Sequence, residues 1–104
     1  MAQFDVYSNA DTATKKVIPY LLDVQTDLFH FISTRTVIPL ALLEKVEIAV
    51  ERLTPIFEIE NHRLVMLTPQ LVGVSHKMLR KKVTNLQTQR DKITAALDLL
   101  FLGF

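Results

Sequence analysis

The sequence contains no cysteine, which excludes disulfides and thiolate metal sites and suits a reducing, cytoplasmic compartment. It has only two glycines, Gly73 and Gly103, so a glycine-rich loop that cradles phosphate is absent. The three histidines, His30, His62 and His76, are not spaced from a carboxylate as metal ligands are. We therefore expect no metal, no cofactor and no catalytic residues.

Long hydrophobic runs and a strong net charge are also lacking. No stretch approaches the ~20 apolar residues that span a bilayer, and no basic segment followed by an apolar run marks a secretory signal. The formal net charge of +1 argues against a dedicated nucleic-acid-binding protein. Acidic side chains concentrate in 44–60 and basic ones in 76–92, a pattern typical of solvated faces.

Hydrophobic residues make up 49% of the 104 residues, enough for one core, so we expect a single domain over 1–104. Alternation of apolar and polar residues, or a short β-prone run, predicts short strands. Each proline is expected to shorten a strand or mark an edge. The predicted strands are 4–7, 17–24, 37–40, 56–59 and 63–68, with a turn at Asn61-His62.

Two regions have helical spacing instead. Apolar residues over 42–53 recur as on a helix face, and local periodicity alone favours a helix there. From Leu86 to the last residue, a second pattern predicts an amphipathic helix at the end of the chain. Its predicted core stripe consists of Leu86, Ile93, Ala96, Leu97, Leu100, Phe101 and Phe104.

The last turn of this predicted helix is apolar on both sides. Leu99 and Leu102 lie far from the core stripe, and one small sheet cannot cover both faces. They are interpreted either as part of a homodimer interface, as singly exposed leucines, or as a hydrophobic anchor for a partner. Gly103 favours a change of chain direction before Phe104.

Three charged residues are the best candidates for chemistry. Asp23 and Asp27 form a carboxylate pair only if they face each other, and a capping or turn role is the simpler interpretation. Arg35 lies just before an apolar strand, where a surface or salt-bridging role is the default. The basic run 76–82 contains no aromatic residue, so it is a weak indication of RNA binding.

Together, several short motifs resemble the CcdB toxins of CcdA–CcdB toxin–antitoxin modules. The match runs from end to end of the chain, and the motifs are specific in combination. They comprise Gln3-Phe4 with Val6-Tyr7, the DVQTD segment 23–27, VIPL at 37–40, Leu53 with Pro55, Met66-Leu67-Thr68, and a C-terminal series that ends in Gly103.

The resemblance implies a mostly β fold, an SH3-like antiparallel barrel with a small side sheet and one C-terminal helix. It also implies a homodimer that binds the DNA gyrase A subunit and traps its cleaved DNA complex, without being an enzyme. A CcdA-like antitoxin is expected to neutralise the toxin. The resulting complex represses its own operon, with DNA contacted through the antitoxin.

By matching positions, the resemblance implies a gyrase-binding surface made of Leu28, Phe29, Asp98, Phe101, Leu102, Gly103 and Phe104. The usual family residues at Leu102, Asp98 and Phe104 are tryptophan, asparagine and isoleucine. Segments 8–20 and 41–52, which include antitoxin-contacting loops in the family, match poorly. The family has loop and short strand near 42–53, which we favour over the helix indicated by periodicity.

Two other functions remain open. Toxins of the same fold, MazF and Kid, cleave RNA, and Arg35 with the basic residues of 77–82 would serve that activity. The replacement of the family tryptophan by Leu102 also suggests a non-toxic homologue that only binds antitoxin.

Overall fold

The computed structural model describes residues 1–47 and 49–104, and these fold as a mostly β protein closed by a C-terminal helix. The strands are β1 (Asp5–Ser8), β2 (Tyr20–Asp23), β3 (Thr34–Leu42), β4 (Ile56–Ile59), β5 (His62–Met66), β6 (Val72–Ser75) and β7 (Lys82–Asn85). The helix α1 is Arg90–Leu102, and short 3₁₀ turns occupy Asp27–Phe29, Leu43–Lys45, Thr68–Gln70, His76–Met78 and Gln87–Gln89.

Every strand pair is antiparallel, and the strands form one curled sheet in the order β4-β5-β3-β2-β1-β7, with β6 also on β3. The predicted fold class, mostly β with a C-terminal helix, is confirmed. One edge of β3 pairs first with β6, from Thr34 to Val37, and then with β5, from Leu40 to Leu42. Pro39 lies at the change of partner, so the nine-residue strand continues through a proline that was expected to keep it short.

The two faces of the sheet bury different groups. Val6, Leu22 and Ile38 are neighbours across β1, β2 and β3, and they are fully buried in the main core with Ile93 and Ala96 of α1. The opposite face buries a smaller apolar cluster of Tyr7, Val37 and Leu79. On strands of this kind alternate residues point to opposite faces, so odd-numbered positions of β1 and β3 reach the second face.

The helix predicted from periodicity over 42–53 is wrong. Leu42 ends β3, Leu43–Lys45 make a single 3₁₀ turn, and the described residues from Val46 to Leu53 contain neither helix nor strand. Ile48 lies outside the described residues. The loop implied by the resemblance is therefore the better description, because tertiary context overrides a short periodic run.

The hairpin turn between β4 and β5 is also shifted from the prediction. Glu60 and Asn61 are its two central residues, both with positive φ (50° and 66°), and His62 already belongs to β5. Two consecutive left-handed residues match the twist of antiparallel strands. The predicted strand at 17–24 is likewise shortened to Tyr20–Asp23, immediately after Pro19.

Helix α1 begins later and is less buried than its sequence pattern predicts. Ile93 and Ala96 are fully buried and Leu97 packs on the core, whereas Phe101 and Phe104 are 65% and 78% exposed. The assignment of these two phenylalanines to the core stripe is therefore wrong, since the last turn extends past the part of the sheet that covers the helix. Within the described residues no helix is both long and apolar enough to cross a membrane.

Candidate protein-binding surface

The segment DVQTD, residues 23–27, is held to the sheet by a group of hydrogen bonds. The Arg35 guanidinium donates from Nε to Asp23 Oδ2 at 2.7 Å and from Nη2 to the Gln25 carbonyl at 3.1 Å. Its Nη2 also lies 3.7 Å from Asp27 Oδ1. The Gln25 side-chain oxygen accepts the Thr36 N–H at 2.9 Å. Both ends of the segment are thus fixed to the beginning of β3.

Asp23 and Arg35 are 0% and 2% exposed, so this is a buried ion pair on the second face of the sheet. Burial raises the pKa of the Asp23 carboxyl, against the opposing effect of Arg35 and of the Gln25 N–H. Burial acts to lower the pKa of Arg35, but the hydrogen bond and charge of Asp23 raise it above its usual value. Asp23 also caps a turn, since its Oδ1 accepts the Gln25 N–H at 3.0 Å.

Both interpretations of Asp23 and Asp27 from the sequence, a turn role and facing carboxylates, are therefore partly confirmed. Asp23 has the predicted turn role, and both carboxylates also face a common partner, Arg35. Asp27 Oδ1 additionally accepts the Gln3 N–H at 2.8 Å, which connects the start of the chain to the segment. Arg35 has the salt-bridging role and is not a surface residue.

A tyrosine and a second aspartate occupy the same face near this ion pair. The Tyr7 hydroxyl lies 3.3 Å from Asp5 Oδ2, and Asn85 and Lys82 reach Asp5 Oδ1 at 2.9 and 3.2 Å. Burial, followed by the charge of Asp5, raises the pKa of Tyr7 to about 12. Among the described residues, no buried side-chain nitrogen or oxygen lacks a hydrogen-bond partner. The hydrogen bonds among these groups support the fold.

An exposed apolar segment follows the DVQTD segment directly. Leu28 is 76% exposed, Phe29 46%, Phe31 75% and Ile32 42%. The rings of Phe29 and Phe31 meet edge to face with centroids 6.3 Å apart. The Thr26 hydroxyl oxygen accepts the Leu28 N–H and caps the 3₁₀ turn. We call residues 28–32 the apolar loop.

The end of α1 is a second exposed apolar surface, which we call the helix end, residues 98–104. Phe101, Leu102 and Phe104 are 65%, 61% and 78% exposed, and Asp98 is exposed. Gly103 adopts φ 81°, and its N–H donates to the Leu99 carbonyl at 3.0 Å, which ends the helix. Leu99 and Leu100 are half-buried. Gly103 thereby turns Phe104 away from the helix axis.

All seven residues predicted to bind gyrase are exposed, and they fall into these two groups. Leu28 and Phe29 belong to the apolar loop, and the other five to the helix end. Among the described residues, no hydrogen bond or ion pair joins the two groups. Phe31 and Ile32, which the sequence reasoning did not single out, extend the loop surface. The sequence did contain an indication of this surface, because residues 28–32 are five consecutive residues without a charged side chain at neutral pH.

A groove outside the predicted site lies between segment 49–56 and the first half of α1. Its volume is about 650 Å³, and Val50, Pro55 and Ile56 face Asp91, Lys92 and Ala95 across it. Lys92 Nζ donates to the Ile56 carbonyl at 2.8 Å and lies 4.7 Å from the centroid of the Phe57 ring. This contact fastens the start of the helix to β4 beside the groove.

The sequence model of the CcdB protein family matches residues 3–103, nearly the whole chain. The chain belongs to the CcdB family. Membership implies a toxin of a toxin–antitoxin module. No curated protein matches the chain significantly. The resemblance seen in the DVQTD and VIPL motifs is thus confirmed, and those motifs correspond to the ion-paired segment and to the middle of β3.

Proposed function

We propose that this CcdB-family protein is a toxin that binds the DNA gyrase A subunit and traps the cleaved DNA complex. The observation that carries the proposal is the exposure of large apolar side chains at the apolar loop and at the helix end. Groups of exposed large apolar side chains often mark protein-binding surfaces. Family membership supports the choice of gyrase, and the proposed action is binding, without chemistry by the toxin itself.

The proposed anchors are the exposed side chains of Leu28, Phe29, Phe101 and Phe104. Aromatic residues bury a large area and dominate interface energies. Leu102 offers a smaller contact than the tryptophan usual in the family, whereas Phe104 offers a larger one than the usual isoleucine. Asp98 adds a carboxylate that favours a basic partner surface.

The proposal is tested with purified gyrase from the host of this protein, in supercoiling and DNA-cleavage assays. Wild-type protein is expected to accumulate cleaved DNA, and Phe104→Ala to need about 30-fold more protein, as for an interface hot spot of about 2 kcal/mol. Met78→Ala is the matched control, because Met78 is 58% exposed but lies outside both surfaces. Absence of cleaved DNA with the folded wild-type protein at saturating concentration would refute gyrase poisoning.

We also propose a homodimer, as membership of the CcdB family implies. Analytical ultracentrifugation checks this directly. A sedimentation coefficient of the monomer at micromolar protein contradicts it.

A CcdA-like antitoxin is the second proposed partner, and the groove beside α1 supports its binding. An amphipathic peptide segment fits an apolar groove bordered by charges, here Glu51 and Arg52 together with Asp91 and Lys92. The proposed complex represses its own operon, with the antitoxin contacting the DNA. Co-expression with the antitoxin is expected to restore growth, and protein that is harmless when expressed alone would favour a non-toxic homologue.

The burial of Arg35 removes the main support for the ribonuclease hypothesis. This hypothesis required an accessible Arg35, but this side chain is 2% exposed and donates hydrogen bonds to Asp23 and to the Gln25 carbonyl. The basic residues of 77–82 are exposed, and Leu79, which lies between them, is buried. Intact RNA after incubation with concentrated protein is the expected result.

A further inference from the structure

Arg35 adds side-chain contacts between three parts of the chain that backbone hydrogen bonds also join, from the Val24 N–H to the Thr36 carbonyl and from the Phe4 N–H to the Asp23 carbonyl. It belongs to β3, its hydrogen bonds end on Asp23 and Gln25, and its charge faces Asp27. Asp27 in turn accepts the N–H of Gln3. The guanidinium thus contacts the end of β2 and the segment after it and, through Asp27, is connected to the start of the chain.

The apolar loop begins at the residue that follows this group. Its internal contacts are few: the Ile32 N–H donates to the Phe29 carbonyl at 3.0 Å, and the Phe31 ring meets the rings of Phe29 and His30 edge to face. After the loop, the Ser33 carbonyl accepts the His76 N–H at 2.9 Å. The position of the loop relative to the sheet therefore depends on the contacts of Asp27 with Arg35 and Gln3 and on the start of β3.

Stability alone gives no reason to bury this ion pair. Replacement of a buried ion pair by apolar residues of similar size is often neutral or stabilising, since desolvation of the charges offsets their attraction. A planar guanidinium with several fixed donors is, however, well suited to hold several acceptors in one arrangement. A loop held in its bound conformation before binding loses less entropy when the partner arrives.

We infer that Arg35 is a positioning residue for partner binding: through Asp23, Gln25 and Asp27 it holds the apolar loop in the conformation that meets the target. The inference rests on the proposed function for the identity of the target, the gyrase A subunit. The positioning itself is a property of the free protein, and it is measured without the target.

The free protein is tested through a fluorescent reporter in the loop. The chain contains no tryptophan, so Phe31→Trp places a single probe at a position that is 75% exposed. In this background, the paired change Asp23→Leu with Arg35→Met replaces the ion pair by apolar side chains. We expect larger-amplitude nanosecond depolarisation of the tryptophan than with the intact pair. Leu64→Ala, a buried change on β5, is the control for lowered stability and is expected to leave the depolarisation unchanged.

Binding is then measured, without the Phe31→Trp reporter, by titration with a purified fragment of the gyrase A subunit that contains its dimerisation region, the part that CcdB toxins bind. The paired variant is expected to bind about tenfold more weakly, because the loop must be ordered on binding. Arg35→Lys keeps the charge opposite Asp23 but loses the planar fork, and an intermediate affinity is expected. Leu64→Ala, compared at a temperature where it is fully folded, is expected to bind as wild type does.

The outcomes distinguish the positioning role of Arg35 from the choice of gyrase as the target. Unchanged depolarisation and unchanged affinity in a folded paired variant overturn the positioning role. Equal losses of affinity in the paired variant and in Leu64→Ala also overturn it, because the effect is then one of stability. Failure of the wild-type protein to bind the fragment refutes gyrase as the target, while the depolarisation measurement still decides whether Arg35 positions the loop.

Discussion

Among single residues, Asp5 has the environment that most directly predicts a pH dependence. Burial acts to raise its pKa, but hydrogen bonds from Asn85 and Ala2 and the charge of Lys82 outweigh it, so the pKa lies below its usual 3.8. An acid with a lowered pKa in the folded state stabilises the fold at pH values above its unfolded pKa. That contribution is lost as the pH falls through the folded-state pKa.

Asp5→Asn is therefore expected to lower the free energy of unfolding at neutral pH and to flatten its decline below about pH 4. Urea unfolding at a series of pH values from neutral to acid measures both effects. Glu44→Gln, a change at an exposed carboxylate, serves as the control. If Asp5→Asn and the wild type lost stability identically in acid, the hydrogen bonds to Asp5 would not be the cause of the acid dependence.

Arg35 shows why residue type alone did not reveal its role. Its partner Asp23 lies 12 positions earlier, and the two meet because the β2–β3 register pairs Asp23 with Val37. On β3, Arg35 and Val37 point to the same face, so a charge in an alternating strand is brought inward. A sequence contains both residues, but only the pairing of distant strands makes them neighbours.

Among elements, helix α1 was predictable in its existence and orientation but not in how far its burial extends. The apolar stripe correctly identifies Ile93, Ala96 and Leu97 as the inward side. Phe101 and Phe104 share that stripe and are nevertheless exposed. Periodicity gives the direction of a side chain around the helix, whereas the length of the covering sheet is a property of the whole fold.

The end of α1 depends on the left-handed conformation of Gly103. A Cβ at Gly103 would meet no atom within 4 Å, so the cost of Gly103→Ala is conformational, about 1 kcal/mol. We expect roughly fivefold faster hydrogen exchange at the amide of residue 103, which donates to the Leu99 carbonyl. Gly73→Ala is the matched control, because its Cβ also meets nothing and its φ is not left-handed. Equal effects of the two substitutions would contradict this account.

At the scale of the whole molecule, helix and sheet share one core. Ile93 of α1 is fully buried together with Val6, Leu22 and Ile38 of three strands. Ile93→Ala is expected to lower the free energy of unfolding by about 2–5 kcal/mol, through lost contacts and a cavity. Because the core is shared, the helix and the sheet are expected to unfold in one transition.

Far-ultraviolet circular dichroism follows α1, and the fluorescence of Tyr7 and Tyr20, the two tyrosines of the chain, follows the sheet. The two signals are expected to give the same midpoint in wild type and in Ile93→Ala. Thr94→Ala, next to Ile93 but half-exposed, is expected to change the midpoint little. Loss of helix signal before the tyrosine signal would show that α1 unfolds independently.

The pairing of β1 with β7 joins residues near opposite ends of the chain. Asp5 faces Asn85, and the Leu86 N–H donates to the Phe4 carbonyl. During synthesis, β1 leaves the ribosome well before β7 and before the helix that fills the core. Until then one edge of β1 has no partner strand, and Val6 and Leu22 lack the cover of Ile93. The shared core is therefore completed only after α1 has emerged, so each new molecule passes through an unfinished state in which its loop and helix end are not yet assembled.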